Sequence, residues 1–249
     1  MTKKLQLVAS ACALLVLGAC TDTAVTKPAA APVTVMGETK PLGNSTISTF
    51  ARIDAGGTVT AIGATFGAGA LTGLPATPSE MTLALPSSVS TTPFTFFTVN
   101  WNPAGHPPPG IYTVPHFDFH FYTISDAARM GIQGGPVTAS PPAAAIPPNY
   151  VGDPVTIPMM GTHYTDSTAP EFSGQAFTST FVYGYNGASL AFLEPMVALS
   201  FLSSKQGYEA AIKQPSTYQV SGIFPTHYSV SFSTAADSYI LTLDGFVKR

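Results

Sequence analysis

The sequence predicts an all-β protein, mainly an antiparallel sandwich or barrel, with one or two short helices. Glycine and proline together make up 45 of the 249 residues, a content that suits many short strands joined by tight turns. Short runs of β-branched and aromatic residues recur along the chain and are bounded by turn-forming residues. Asn186-Gly187, between two such runs, is the strongest short hairpin signal in the chain.

The first 19 residues are predicted to be a signal peptide. Lys3 and Lys4 precede an apolar run, residues 5–17, that is too short to span a bilayer as a helix. The run ends in LGAC at residues 17–20, which resembles the lipobox of bacterial lipoproteins. This resemblance implies lipidation of Cys20 and export to the cell envelope, where the lipid attaches the protein to the membrane. Because the residue after Cys20 is Thr21 and not aspartate, the resemblance implies that the protein is attached to the periplasmic face of the outer membrane if the cell is Gram-negative.

Residues 20–44 are rich in threonine, alanine and proline and predict a flexible tether, which leaves residues 45–249 as a single β domain. The two cysteines of the sequence, Cys12 and Cys20, precede this domain, so it is expected to contain no disulfide and no thiolate metal site. Without Lys3 and Lys4, the 8 remaining basic and 13 acidic residues give a net charge of −5. No basic cluster points to nucleic-acid binding.

In the first half of the domain, residues 47–53 and 58–66 are predicted strands on either side of a DAGG turn. Ser125 has the residue type of an N-cap and predicts a short helix after it. The proline-rich stretch 133–150 predicts a long loop. Further strands are predicted at residues 81–85, 94–101 and 116–122.

In the second half, strands are predicted at both sides of the GYNG turn, at residues 176–183 and 189–193. Residues 203–213 are predicted to form the second helix, since polar residues open the segment and Pro215 lies beyond its end. The remaining predicted strands are residues 197–202, 218–223, 227–232 and 239–247.

The segment HFDFHFY, residues 116–122, carries the main chemical signal. Side chains alternate in a strand, so His116, Asp118, His120 and Tyr122 share one face, while three phenylalanines share the other. Same-face neighbours lie about 6.6 Å apart along the strand, close enough to share one metal ion. His116 and His120 lie about 13 Å apart, too far to share one ion without a bulge, so further ligands must come from elsewhere.

Other ligand candidates are dispersed along the chain. His106 lies in a proline-rich loop, and His163 and Glu171 lie in the turn-rich segment 158–171. Glu194 ends an apolar strand, where a carboxylate is costly unless it is paired or coordinated. Nitrogen and oxygen ligands without sulfur suit zinc, manganese or iron as the divalent ion. The candidates are therefore His116, His120, His163 and Glu194 as metal ligands, Asp118 and Glu171 as catalytic carboxylates, and His106 and Tyr122 as pocket residues.

The alternative interpretation is structural, because histidines can bond backbone groups inside a β core and Asp118 can orient one of them. His227, in FPTHYSV, is interpreted as structural. The signature loops of serine hydrolases, P-loop nucleotide-binding proteins and HExxH metalloproteases are absent from the sequence.

Four blocks carry a family resemblance: VNWNPAGHPPPGIYTVPHFDFHFY (99–122), PMMGTHYTDSTAPEF (158–172), FVYGYNGASLAFLEPM (181–196) and FPTHYSV (224–230). They resemble an exported bacterial domain family of unknown function, which includes a thermophile protein controlled by an envelope-stress sigma factor. The resemblance implies one extracytoplasmic domain and supplies no reaction.

Two functions therefore stay open. The first is a lipid-anchored envelope domain with a histidine and carboxylate site for a metal ion or an unidentified small ligand, including metal-assisted hydrolysis or oxidation. The second is a non-catalytic structural or assembly protein of the envelope, acting through an apolar, aromatic-rich interface between identical subunits. The first predicts that the histidines converge in one pocket, and the second predicts that they scatter.

Overall fold

The structure is a computed structural model and describes residues 31–249. The predicted signal peptide, Cys20 and the first part of the predicted tether lie outside the described residues. Within residues 31–249, no helix has both the length and the apolar character needed to cross a bilayer.

Strands dominate the described residues, and the helices are short. The strands are Val33–Leu42 (β1), Ser45–Ile53 (β2), Val59–Gly67 (β3), Ser79–Ala84 (β4), Phe96–Asn102 (β5), His116–Tyr122 (β6), Gly135–Pro136 (β7), Tyr150–Gly152 (β8), Val155–Thr156 (β9), Thr162–Asp166 (β10), Ser179–Asn186 (β11), Ser189–Ala198 (β12), Tyr208–Ala211 (β13), Ile223–Phe224 (β14), His227–Ser233 (β15), Ser238–Asp244 (β16) and Val247–Lys248 (β17). The α-helices are Asp126–Met130 (α1) and Leu199–Ser203 (α2), and 3₁₀ helices cover Ala68–Leu71, Ser87–Thr91, Ala143–Ala145 and Pro170–Ser173.

Two antiparallel sheets form a sandwich. The first has six strands in the order β1-β2-β3-β16-β15-β13, and the second has seven in the order β4-β5-β6-β12-β11-β10-β8. Aromatic rings join the sheets: Phe119 stacks on Phe66 with ring centroids 5.8 Å apart, and Phe181 packs on Tyr228 at 5.0 Å. The predicted fold class, all-β with two short helices, is confirmed.

Strand β6 lies in the middle of the seven-stranded sheet and contains HFDFHFY. Its three phenylalanines belong to the main core between the sheets. The opposite face of the seven-stranded sheet, which we call the polar face, carries His116, Asp118, His120 and Tyr122. Since every residue of β6 is buried, the chain must also cover this second face, and two small apolar clusters around Tyr112 and Tyr122 do so.

Local signals in the sequence predicted several elements correctly. The DAGG and Asn-Gly turns join β2 to β3 and β11 to β12. The hydroxyl of Ser125 accepts a hydrogen bond from the backbone N–H of Ala128, which caps α1 as predicted. These features depend on neighbouring residues only, so sequence is sufficient to find them.

The predicted tether overlaps a strand. Residues 33–42 form β1, which pairs with β2 from Val33↔Ile53 to Leu42↔Ser45, so folded structure begins before residue 45. The β-branched residues Val33, Thr34, Val35 and Thr39 in this segment suit a strand, whereas the threonine, alanine and proline content of residues 20–44 suggested a flexible chain.

The predicted helix at residues 203–213 is wrong, and so is the strand prediction for residues 199–202. The helix α2 forms one turn earlier, and Lys205, with φ 56°, follows its end. Tyr208–Ala211 is strand β13, which pairs with β15 at the edge of the six-stranded sheet. Pairing across the sheet overrides the helix propensity of glutamate and alanine here. Of the predicted strand 218–223, Ile223 alone lies in a strand, β14.

Candidate metal centre

Four of the five histidines lie on the polar face, in two groups of three ligand-type side chains. We call His106, His116 and Asp118 the outer group, and His120, His163 and Glu194 the inner group. In each group one ligand atom per residue lies within 4.8 Å of the other two. The fifth histidine, His227, lies on strand β15 of the other sheet, in line with its structural interpretation. The expected single pocket is thus divided in two.

Strand order explains which residues meet. Strand β6 contributes to both groups, because His116, Asp118 and His120 lie in a row on its polar face. The first two belong to the outer group and the third to the inner group. Glu194 lies on the neighbouring strand β12, and His163 lies on β10, two strands further. His106 lies in the loop between β5 and β6.

A glycine makes room for the inner group. Gly184 pairs with both His163 and Phe192 across the sheet, and a Cβ at Gly184 would clash with the ring of Phe192. The Phe192 ring packs on His120 and His163, with centroid distances of 4.7 and 5.1 Å. Phe192 therefore fixes the spacing of these two imidazoles.

Backbone carbonyls fix the orientation of both imidazoles in the outer group. Nδ1 of His116 lies 2.7 Å from the carbonyl oxygen of Val114, and Nδ1 of His106 lies 2.8 Å from that of Pro107. A carbonyl oxygen only accepts, so each Nδ1 carries a proton, and each ring in its neutral form presents the lone pair of Nε2. A hydrogen bond of this kind orients many metal-binding histidines.

Both lone pairs face Asp118. Nε2 of His116 lies 3.1 Å from Oδ1 of Asp118, and Nε2 of His106 lies 3.6 Å from Oδ2. A lone pair opposite a carboxylate oxygen is repulsive unless a proton or a metal cation lies between them. The amide of Asn102 donates to Oδ2 at 2.6 Å, which holds the carboxylate in place.

The metal-free outer group carries charge. Burial raises the pKa of Asp118, but His106 and His116 lower it more, so the net shift is downward and the carboxylate is ionised. Burial lowers the pKa of His106, and Asp118 raises it above its ordinary value. The side chain of His106 is 36% exposed, while those of His116 and Asp118 are 0% and 6% exposed.

The inner group is more deeply enclosed. Nε2 of His120 lies 3.4 Å from Oε1 of Glu194, and Nε2 of His163 lies 3.7 Å from Oε2. The side chains of His120 and Glu194 are each 1% exposed, and that of His163 is 14% exposed. Nδ1 of His120 lies 3.4 Å from the hydroxyl of Thr98.

Burial makes the inner group neutral in the metal-free protein. It lowers the pKa of His120 to about 3 and that of His163 to about 4. Burial, reinforced by Asp118 and Asp153, raises the pKa of Glu194 well above its ordinary value. A cation that binds here would displace the proton of Glu194, and the carboxylate would then offset its charge.

Unpaired polar atoms concentrate in the two groups. Six buried side-chain nitrogen or oxygen atoms among the described residues have no hydrogen-bond partner, and four of them are Asp118 Oδ1, His120 Nε2, His163 Nδ1 and Glu194 Oε2. Each such atom costs about 1–3 kcal/mol. Metal coordination satisfies atoms of this kind.

A buried ion pair borders the inner group. The guanidinium of Arg129 donates to Glu80 at 2.7 Å and to Asp126 at 2.9 Å, and it lies 5.6 Å from the ring centre of Tyr122. The amide of Asn100 donates to the other oxygen of Glu80 at 3.1 Å. Arg129 is thus paired with two carboxylates, and its charge adds to burial in lowering the pKa of His120.

Two of the candidate residues stand apart from both groups. Glu171 is buried and accepts a hydrogen bond from the hydroxyl of Tyr112 at 3.0 Å. Tyr122 borders the inner group, with its ring 5.8 Å from that of His120, and its hydroxyl donates to the carbonyl of Met159. The other six described candidates form the two groups.

Sequence reasoning missed Asn102 and Asp153. Asn102 alternates with Thr98 and Asn100 in an otherwise apolar strand, and this alternation was the available signal. The backbone N–H of Asp153 donates to the carbonyl of His163, so the two side chains share the polar face. Asp153 is half-buried; burial raises its pKa, and His106 lowers it less. No local pattern predicts this placement.

A family model described as "TTHB210-like: Hypothetical protein TTHB210" matches residues 54–101. No curated protein and no solved structure matches the chain. The matched stretch includes β3, β4 and most of β5 and ends before the first of the six grouped residues. Over residues 54–101, the chain is similar to a family of proteins whose function is unknown.

Proposed function

We propose that this protein binds divalent metal ions on its polar face, one in the outer group and one in the inner group. The observation that carries the proposal is the concentration of unpaired buried atoms on four of these six side chains, with ligand atoms within 4.8 Å in each group. Imidazole and carboxylate are common ligands of zinc. Without a bound ion, the cost of burying these unpaired polar atoms, about several kcal/mol in total, would not be offset.

Each group supplies two imidazoles and one carboxylate. This set suits zinc, manganese or iron(II), and the absence of sulfur argues against copper(I). In this proposal Asp118 is a ligand, since Asn102 holds it and two imidazoles face it. A bound ion of this type acts as a Lewis acid or activates water, as hydrolysis or oxidation requires.

The proposed setting is the cell envelope. The charged and apolar leader and the LGAC sequence at residues 17–20 support export and a lipid anchor at Cys20. An exported location also fits a domain that uses imidazole and carboxylate rather than thiolate ligands, because thiols are oxidised outside the cytoplasm.

Elemental analysis of the tag-free mature protein tests the proposal. Wild-type protein is expected to retain two equivalents of metal. The double variant His120→Ala, His163→Ala and the double variant His106→Ala, His116→Ala are each expected to retain one. The control variant His227→Ala, on the other sheet, is expected to retain two.

Thermal unfolding gives a second readout. A metal ion at 100 times its dissociation constant adds about 2.7 kcal/mol of stability, which raises Tm by roughly 5–10 °C for a domain of this size. Protein that purifies without metal, and whose Tm is the same with chelator and with added zinc, would contradict metal binding. It would favour the structural or assembly role instead.

A further inference from the structure

We propose that the ion in the outer group keeps an open coordination position for water or a small anion from solvent, whereas the ion in the inner group is coordinatively closed. This inference rests on the proposed function and identifies the ligand class of one of the two sites. Two differences between the groups support it, and charge indicates which ligand the open position would take.

The first difference is the number of donor atoms. Oδ2 of Asp118 accepts the amide of Asn102 at 2.6 Å, which leaves Oδ1 as the free oxygen. Both Nδ1 atoms of the outer group face backbone carbonyls. The outer group therefore offers three donors, one short of the four that zinc takes in protein sites.

The inner group offers a fourth donor. Oε1 of Glu194 faces His120 at 3.4 Å, while Oε2 faces His163 at 3.7 Å. Since both oxygens point at imidazole nitrogens, Glu194 can bind one ion through both. Two imidazoles and a bidentate carboxylate complete four-coordination without a solvent ligand.

The second difference is access. His106 is 36% exposed and comes from a loop, so one side of the outer group meets solvent. All three inner ligands come from strands and are at most 14% exposed. A ligand from solvent therefore reaches the outer ion without any opening of the sheet.

Charge favours an anion as the ligand from solvent. Two neutral imidazoles and one carboxylate leave a divalent ion with a net charge of +1, which attracts a monoanion. Asp153, half-buried on the polar face, is a further acidic group there, and its negative charge opposes this attraction. Replacing it with asparagine is expected to tighten anion binding about twofold or more.

Cobalt(II) and azide test the inference, because visible absorption of cobalt reports changes in its coordination. The wild-type protein loaded with two equivalents of cobalt is expected to show a saturable spectral change on azide addition. His163→Ala, which keeps the outer group intact, is expected to keep the change. His106→Ala, which keeps the inner group intact, is expected to lose it. His106 is half-exposed on a loop, so this variant is expected to fold.

The opposite pattern would overturn the inference: a response that survives in His106→Ala and disappears in His163→Ala. A wild-type protein with two bound cobalt ions and no azide response would also overturn it, while the proposed function would stand. A protein that binds no cobalt, zinc or manganese would overturn the proposed function, and this inference with it.

Discussion

The outer and inner groups contain the same side-chain types, two histidines and one carboxylate, yet their electrostatic states are opposite. In the outer group the carboxylate of Asp118 is ionised, and one histidine is exposed to solvent. In the inner group burial lowers the pKa of both histidines and raises that of Glu194. Composition therefore does not determine the charge of a polar cluster; the balance between burial and the contacts made by its carboxylate does.

The two groups also differ in what orients them. Hydrogen bonds from the imidazoles to backbone carbonyls, and from Asn102 to Asp118, orient the outer group. Packing orients the inner group, because Phe192 lies against both imidazoles. Variants that remove packing contacts are therefore expected to lower metal affinity mainly at the inner group. Variants that remove a hydrogen bond are expected to lower it mainly at the outer group.

The largest difference in the free energy of unfolding is expected between the variants His120→Ala and His106→Ala. Truncation of the fully buried His120, which packs on Phe192 and Tyr122, should cost about 2–5 kcal/mol in the metal-free protein. Truncation of half-exposed His106 should cost about 0.5 kcal/mol or less. Urea unfolding in the presence of a chelator measures both values. Equal losses of stability would show that the groups do not differ in burial as described.

An intermediate effect is expected from Gly184→Ala. The added methyl group would displace the ring of Phe192, at a cost of about 1–3 kcal/mol for overpacking. Because that ring touches both inner imidazoles, zinc affinity should fall at the inner group and stay unchanged at the outer group. Calorimetric titration of this variant in the His106→Ala background measures the inner group alone.

The control for this variant is Gly207→Ala. A Cβ at Gly207 would lie 3.8 Å from the carbonyl oxygen of Val230, an ordinary contact distance, and Gly207 directly precedes strand β13 of the six-stranded sheet. The Gly207→Ala variant is expected to bind zinc at both groups with unchanged affinity. If Gly184→Ala binds zinc at the inner group as tightly as the parent variant, Phe192 does not set the spacing of the imidazoles.

Sequence predicted those parts of the fold that local patterns determine. The alternation in HFDFHFY gave the strand and its two faces, and the Asn-Gly turn gave the hairpin of β11 and β12. Residues 203–213 were wrong because their local propensity favours a helix, while pairing with β15 makes part of them a strand. That partner lies about twenty residues away and leaves no local signal.

The candidate site was predictable as a set of residues and not as an arrangement. The strand rise indicated that His116 and His120 cannot share one ion, and the structure assigns them to different groups. Which of His106, His163 and Glu194 joins each group depends on the strand order β6-β12-β11-β10. A single sequence does not encode that order in any short pattern.

The effect that separates the groups most selectively is expected from Asn102→Ala. Loss of its 2.6 Å hydrogen bond frees Asp118 to rotate, and removal of such a supporting contact lowers metal affinity by roughly 10–100-fold. The matched variant for the inner group is Thr98→Val, which removes only a 3.4 Å contact to His120 and should lower affinity less. Zinc titrations of Asn102→Ala in the His163→Ala background and of Thr98→Val in the His106→Ala background isolate one group each. If Thr98→Val costs more affinity than Asn102→Ala, hydrogen bonds rather than packing orient the inner group, and the contrast between the groups is lost.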